Sequence, residues 1–165
     1  MSTETPAIPV RTCVAIVNRG EVCLIRRSRA DGDQYSVPGG LLDTDEEVPA
    51  ALARELKEEL DLDVTTLGVA PVLCWEQHQA TTRAGGLFQR RHLIHVLQAP
   101  DHVRDLISAT EQDAEDDTQV VWLPTSQAAA LHLYPDIGTA LAGFNGVPID
   151  VAELPPMHDG TYAWR

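Results

Sequence analysis

Three glutamates, Glu55, Glu58 and Glu59, stand at i, i+3 and i+4. In a helix that spacing puts them on one face with Cβ atoms about 5–6 Å apart. Three like charges this close repel one another. The arrangement becomes favourable when a hard divalent cation sits among them, and Mg²⁺ prefers carboxylate oxygens together with water and substrate phosphate. Taken alone, glutamates at this spacing are more often a solvated helix face. The residues around them decide between the two.

The element that positions them is the strongest helix signal in the chain. Asp45, Glu46 and Glu47 suit the positive end of a helix, Pro49 fits only its first turn, and strong helix formers run from Ala50 to Leu60. At 100° per residue, Leu52, Leu56 and Leu60 share a face with Pro49 and Ala53 and are expected to pack on a sheet. The glutamates point a quarter turn or more away, beside the core. Gly39-Gly40 precedes this helix.

Upstream, Val10–Val17 and Val22–Ile25 flank Asn18-Arg19-Gly20 and predict a hairpin. Arg29–Gln34 reads as a polar loop and Tyr35–Val37 as a short strand. Downstream, strands are expected at Val64–Leu67, Val69–Trp75, His92–Leu97 and Gln119–Leu123, with Glu76–Gly86 as a polar, mobile loop. Asp101–Asp117 carries seven carboxylates against Arg104 and reads as an acidic loop. Thr125 or Ser126 is expected to cap a short helix through Leu131, and Pro135 to open another ending near Asn145-Gly146. Residues 1–9 read as a flexible leader, 10–146 as one domain, and 147–165 as a C-terminal extension that docks on the domain or on the second subunit of a homodimer. This order predicts an α+β fold, a mixed β-sheet packed between helices.

Composition bounds the function. The chain has 165 residues and is 44% hydrophobic, enough for one domain with a self-sufficient core. A net charge of −13 argues against nonspecific binding to nucleic acid. An acidic protein that binds a phosphorylated small molecule needs metal cations or a local basic patch to offset the repulsion. No apolar run is long enough to span a membrane, and no signal peptide is evident. Cys13, Cys23 and Cys74 form no Cys-x-x-Cys pair and read as reduced core thiols of a cytoplasmic protein.

The segment from Gly40 to Leu62 resembles the signature of the Nudix hydrolase family, Gly-x5-Glu-x7-Arg-Glu-U-x-Glu-Glu-x-Gly-U, where U is bulky and aliphatic. Gly40, Glu46, Arg54, Glu55, Leu56, Glu58, Glu59 and Leu62 fall in register. One position departs: Asp61 stands where the family has glycine. That glycine ends the helix in a left-handed conformation, which Asp tolerates better than most residues. The resemblance implies an α/β/α sandwich and hydrolysis of a nucleoside diphosphate derivative, a small phosphorylated substrate. It implies that Gly39 (through its carbonyl), Glu55, Glu58 and Glu59 hold Mg²⁺, with Mn²⁺ as a substitute. It further implies that Arg54 and Glu46 form a structural pair that orients the cluster, and that Glu58 or Glu59 takes the proton from water. Some family members use a base from a later loop, where Glu115 and Asp116 lie here, although a solvated acidic loop is the commoner meaning of that run.

Substrate-facing candidates are Arg26 and Arg27 at the end of the second strand, Arg83, Arg90 and Arg91 for terminal phosphates or a ribose, and Tyr35 and Trp75 for stacking on a base. Each is as readily an ordinary core or surface residue. The six histidines show no zinc spacing. Two other functions are compatible with the resemblance: a non-hydrolysing sensor of a nucleotide ligand, which the intact carboxylates argue against, and an isoprenoid diphosphate isomerase, which an intact hydrolytic signature disfavours.

Overall fold

The computed structural model describes residues 7–107, 118–148 and 150–165. Strands β1 (Val10–Asn18) and β2 (Glu21–Arg29) form the expected hairpin. Arg19 and Gly20 both take positive φ, 51° and 74°. This is the turn geometry whose twist matches the flanking strands. β2 runs on past Ile25 and pairs with β3 (Gly32–Ser36), so the polar Arg29–Gln34 stretch is a tight hairpin connection and not a loop. β4 (Gly39–Leu41) then lies antiparallel to β1, with Cys13 opposite Gly39.

Helix α1 (Val48–Leu60) starts just after the acidic residues expected in its first turn. Glu47 occupies the N-cap without a side-chain cap bond, and Pro49 sits in the first turn. Leu52, Leu56 and Leu60 are buried, joined by Ala51, while Pro49 is exposed. Fully burying a leucine is worth about 1.5–3 kcal/mol, so this stripe fixes the helix on the sheet and with it the direction of the glutamates. The helix ends at Asp61 in the left-handed region, φ 51° and ψ 31°. The Asp61 N–H donates to Lys57 O and the Leu62 N–H to Leu56 O, at 3.1 and 3.3 Å.

Between α1 and the end of β6 three expectations fail. Val64–Thr66 is a 3₁₀ turn, not a strand, because the Asp63 side chain accepts the Thr65 N–H and caps it. The strand expected from Val69 begins only at Val72. The supposed mobile loop Glu76–Gly86 is most of a long hairpin, β5 (Val72–Arg83) against β6 (Gly86–Gln98). Its alternation is real, since Gln77, Gln79 and Thr81 are buried between more exposed neighbours. The inward residues are polar, so hydrophobic periodicity does not show it.

Helix α2 (Val103–Leu106) and β7 (Thr118–Pro124) follow. Thr125–Ala130 is a 3₁₀ helix with no side-chain cap from Thr125 or Ser126. β8 (Leu133–Tyr134) and α3 (Gly138–Ala142) come next, α3 being much shorter than the helix expected from Pro135. In the C-terminal segment β9 (Ala152–Glu153) and β10 (Met157–His158) pair in parallel with β5, so this segment lies on its own domain.

The sheet is mixed. β1 runs parallel to β6 and antiparallel to β2 and β4. One face carries Val14, Ile16, Cys23 and Ile25 against the leucines of α1; the other carries Cys13, Ala15, Val22 and Leu24 against Ala128, Leu133, Ile137 and Leu141. Helices on both faces give the α/β/α sandwich. No helix among the described residues is long and apolar enough to cross a membrane.

The cap at Asp61 makes a prediction. Glycine would relieve the left-handed strain, while the exposed Lys57–Asp61 pair at 2.6 Å contributes little. Asp61→Gly is expected to shift the thermal midpoint by no more than a few degrees, as about 1 kcal/mol implies, and to change turnover less than a few-fold. A collapse in turnover with an unchanged midpoint would give Asp61 a chemical role.

Candidate functional site

Gly39 and Gly40 sit where no side chain fits. A Cβ on Gly40 would overlap the Glu55 carboxylate, and one on Gly39 would run into Thr12 O and Cys13. The Gly39 N–H donates to Glu59 Oε1 at 3.3 Å. The glycines therefore form a bare backbone edge against which two carboxylates of α1 lie.

Arg54 holds the acidic groups together. Its Nε and Nη2 donate to the two oxygens of Glu46, both at 2.9 Å, a bidentate pair. Nη1 donates to Glu55 Oε1 at 2.8 Å and lies 3.5 Å from Glu58 Oε2. Nη2 also reaches Leu41 O at 3.1 Å. Glu46 in turn accepts the Asp43 N–H at 3.0 Å. The Arg54 hydrogen bonds, and then that backbone donor, bring the Glu46 carboxyl from 4.5 down to about 2. The same pairing moves Arg54 further above its ordinary value. Asp43, Glu46, Glu55 and Glu58 thus surround one guanidinium.

The other candidates separate. Trp75 is buried at 7% exposure and meets Phe144 edge-on, so it serves the core rather than a base-stacking role. Tyr35 likewise packs partly buried against the core. Arg26 donates to Gln119 on β7. Arg91 pairs with Glu76 at 2.9 Å, on the opposite side of β6 from Arg90. Arg90 lies over Phe88 at 4.0 Å, and its charge reaches Tyr134 and His92. Arg27 and Arg83 line a cavity with Tyr134 and the C-terminal residues Tyr162, Trp164 and Arg165. Glu115 and Asp116 lie outside the described residues.

Sequence reasoning missed Arg11. It sits on β1 at the register position facing the side of Cys13, and its Nη2 donates to Val37 O at 3.0 Å. Its guanidinium lies 5.3 Å from the centre of the Tyr134 ring, and Nη1 is buried with no hydrogen-bond partner. A buried guanidinium N–H without a hydrogen-bond partner is costly. The available signal was an arginine at a core-facing position of a strand.

Behind Arg11 lies a polar wall. Gln79 Oε1 accepts from Tyr134 Oη at 2.7 Å and from His92 Nε2 at 2.8 Å. Burial, with the nearby Arg11 and Arg90 charges, pushes His92 down to about 2, so the ring is neutral and Nε2 carries its proton.

An apolar cavity of about 450 Å³ lies on the other side of α1, lined by Pro49, Leu52, Ala53, Val64 and His95 among others. None of its lining residues is an arginine, lysine or carboxylate, so it offers nothing to a polyphosphate.

The family model for the NUDIX domain matches residues 7–143. The chain belongs to the NUDIX family. Several solved structures share the fold. The dihydroneopterin triphosphate pyrophosphohydrolase of E. coli is 23% identical with a TM-score of 0.59, over 82% of this chain and 93% of that one. A MutT protein from Methanosarcina mazei is 18% identical with a TM-score of 0.56, over 85% and 94%. An Ap4A hydrolase of C. elegans is 17% identical with a TM-score of 0.55, over 81% and 93%. No curated protein matches the sequence. Membership of the NUDIX family makes the chain a pyrophosphohydrolase.

NUDIX hydrolases generally use divalent metal cations. The residues present fit such an ion in kind: three carboxylates on one helix face beside a backbone edge with no side chains are hard oxygen donors. Among the described residues no three acidic, histidine or cysteine groups stand in a grouping that could hold a metal ion as placed; Arg54 and the Gly39 N–H lie among the carboxylates.

The depressed Glu46 carboxyl sets a pH dependence. Its stabilisation is complete above the unfolded value of 4.5 and is lost as the pH falls towards about 2. Glu46→Gln is expected to lower the urea midpoint at pH 7, and the gap from the unsubstituted protein should close between pH 4.5 and 2. A gap that stays constant across that window would mean the Glu46 charge contributes nothing.

Proposed function

We propose that this NUDIX enzyme hydrolyses a diphosphate linkage in a nucleoside diphosphate derivative, a nucleotide sugar, ADP-ribose or a nucleoside triphosphate, with Mg²⁺ held by Glu55, Glu58, Glu59 and the Gly39 carbonyl. The carrying observation is the side-chain-free edge of Gly39 and Gly40 against the carboxylate face of α1. Mn²⁺ has the same taste for oxygen donors and serves in its place. A bound divalent ion of this kind neutralises phosphate oxygens and lowers the pKa of a coordinated water.

The chain's own residues do the rest. Arg54 orients Glu55 and Glu58 and cancels part of their repulsion. Glu58 or Glu59 receives the proton of the attacking water. Arg90, near Tyr134, binds phosphate oxygens and steadies the charge that develops in the transition state. The three buried free thiols suit a reducing cytoplasm. The structural neighbours share the fold only, so the choice of substrate rests on this chain's residues.

Phosphate release from a panel of nucleoside diphosphate derivatives, with and without Mg²⁺, tests the reading. Glu59→Gln is expected to remove most turnover while the thermal midpoint holds; full turnover would overturn the metal assignment. Arg90→Ala is expected to raise KM about tenfold or more, as loss of a charge-assisted contact of roughly 1.5–3 kcal/mol implies. Arg91→Ala, already paired to Glu76, should change KM little. Equal effects would place the phosphates elsewhere.

A further inference from the structure

Of the proposed metal ligands, only the Gly39 carbonyl lies outside α1 and belongs to the backbone. A carboxylate can follow an ion by turning about its side-chain bonds. A carbonyl goes only where its chain is held, so whatever holds the chain around Gly39 bears on the metal. The Val37 N–H donates to Tyr134 O at 2.9 Å, and the Val14 N–H donates to Pro38 O at 2.9 Å. The Gly39 N–H donates to Glu59 Oε1 at 3.3 Å. The Val37 carbonyl takes its hydrogen bond from a side chain, Arg11 Nη2, at 3.0 Å.

Arg11 is in turn held from behind. Its guanidinium stands 5.3 Å from the centre of the Tyr134 ring. Tyr134 Oη donates to Gln79 Oε1 at 2.7 Å, and His92 Nε2 donates to the same oxygen at 2.8 Å. Gln79 Nε2 donates to Thr81 Oγ1 at 3.1 Å. Gln79, Thr81 and His92 are each at most 2% exposed, so these bonds are interior. The His92 ring also meets the Tyr134 ring edge-on at 5.3 Å. A ring fixed on two sides offers the guanidinium a fixed face.

Ordinary packing does not account for an arginine here. Arg11 Nη1 is buried with no hydrogen-bond partner, a cost that an apolar side chain in its place would not carry. A positive charge near a cation site also opposes the ion. What arginine supplies is direction. Its planar group can lie on the Tyr134 ring and aim an N–H at the Val37 carbonyl at once, and an ammonium has no such plane.

We propose that Arg11 is a positioning residue of the metal site, fixing the Val37–Gly39 backbone so that the Gly39 carbonyl meets an ion held by Glu55, Glu58 and Glu59. Tyr134 and Gln79 act through Arg11. The role rests on the metal reading proposed above.

Mn²⁺ is the probe, titrated into the full chain and followed by the paramagnetic resonance of the free ion. Arg11→Met is expected to weaken Mn²⁺ binding about tenfold or more, the size usual when a group that orients a metal ligand is lost. Loss of a positive charge by itself would strengthen binding, so the sign separates positioning from charge alone. Arg11→Lys, which keeps the charge and a donor, is expected to recover binding in part. In metal-free protein the Gly39 and Gly40 N–H groups of Arg11→Met are expected to exchange with deuterium about tenfold faster or more, while Leu52 and Leu56 keep their rates. Unchanged or tighter Mn²⁺ binding by folded Arg11→Met overturns the proposal. Where Arg11→Met does not fold, Arg11→Lys and Tyr134→Phe carry the test, and full affinity in both overturns it. Glu59→Gln tests the reading beneath. If it binds Mn²⁺ as the unsubstituted chain does, the metal site is misassigned and the role of Arg11 falls with it. If Glu59→Gln loses the ion and Arg11→Met keeps it, only the role of Arg11 falls.

Discussion

The guanidinium of Arg54 is the one interaction on which the site's geometry depends. Glu46, Glu55 and Glu58 all lie within ion-pair distance of it, Asp43 reaches it at 3.5 Å, and Leu41 O accepts from it. Gathered without a cation, these carboxylates would repel one another. The planar fork matters as much as the charge, since Nε and Nη2 engage both oxygens of Glu46 while Nη1 remains for Glu55. A lysine ammonium could not hold the loop and the helix in one fixed relation. The pair is partly exposed, so its role lies in orientation more than in stability.

That relation is transmitted through β1. On one side β1 pairs with β4, which brings Gly39 opposite Cys13; on the other it runs parallel with β6, which carries Arg90 and His92. Arg11 lies on the same strand and reaches Val37 just before the glycines. A single central strand thus sets the distance between the carboxylate side and the cationic side. The leucine stripe of α1 presses the helix onto that sheet, so the glutamates are fixed by burial of residues that take no part in the chemistry.

The helix and its carboxylates were legible because leucine periodicity, Pro49 and the glycine pair all point the same way. The hairpin was legible from Arg19-Gly20, whose positive φ values the turn requires. The β5–β6 hairpin was not, because Gln77, Gln79, Thr81 and His92 face inward and hydrogen-bond to one another or to the backbone. An interior of that kind has strand alternation without hydrophobic alternation. The bulge near Cys74 shifts the register as well, so Cys74 and Trp75 are both buried where a strict period of two would bury only one of them. Arg11 escaped notice for the related reason that its neighbours Val10, Cys13 and Val14 read as an ordinary buried strand.

The misread polar interior and the acidic composition meet in one physical argument. A chain of net charge −13 repels a polyphosphate at long range, but that repulsion is screened beyond about 8–10 Å at physiological salt. Attraction has to act within that distance, from groups already placed. Arg11, Arg90, Arg83 and Arg165 are placed in that way, held among the described residues by aromatic rings and backbone carbonyls. Polar residues in the wall of the hairpin are therefore what allows cations to stand beside the sheet without neutralisation. A hydrophobic wall would be easier to read from sequence, but it would offer fewer acceptors to hold Tyr134 and Tyr162, and through them the arginines, in position.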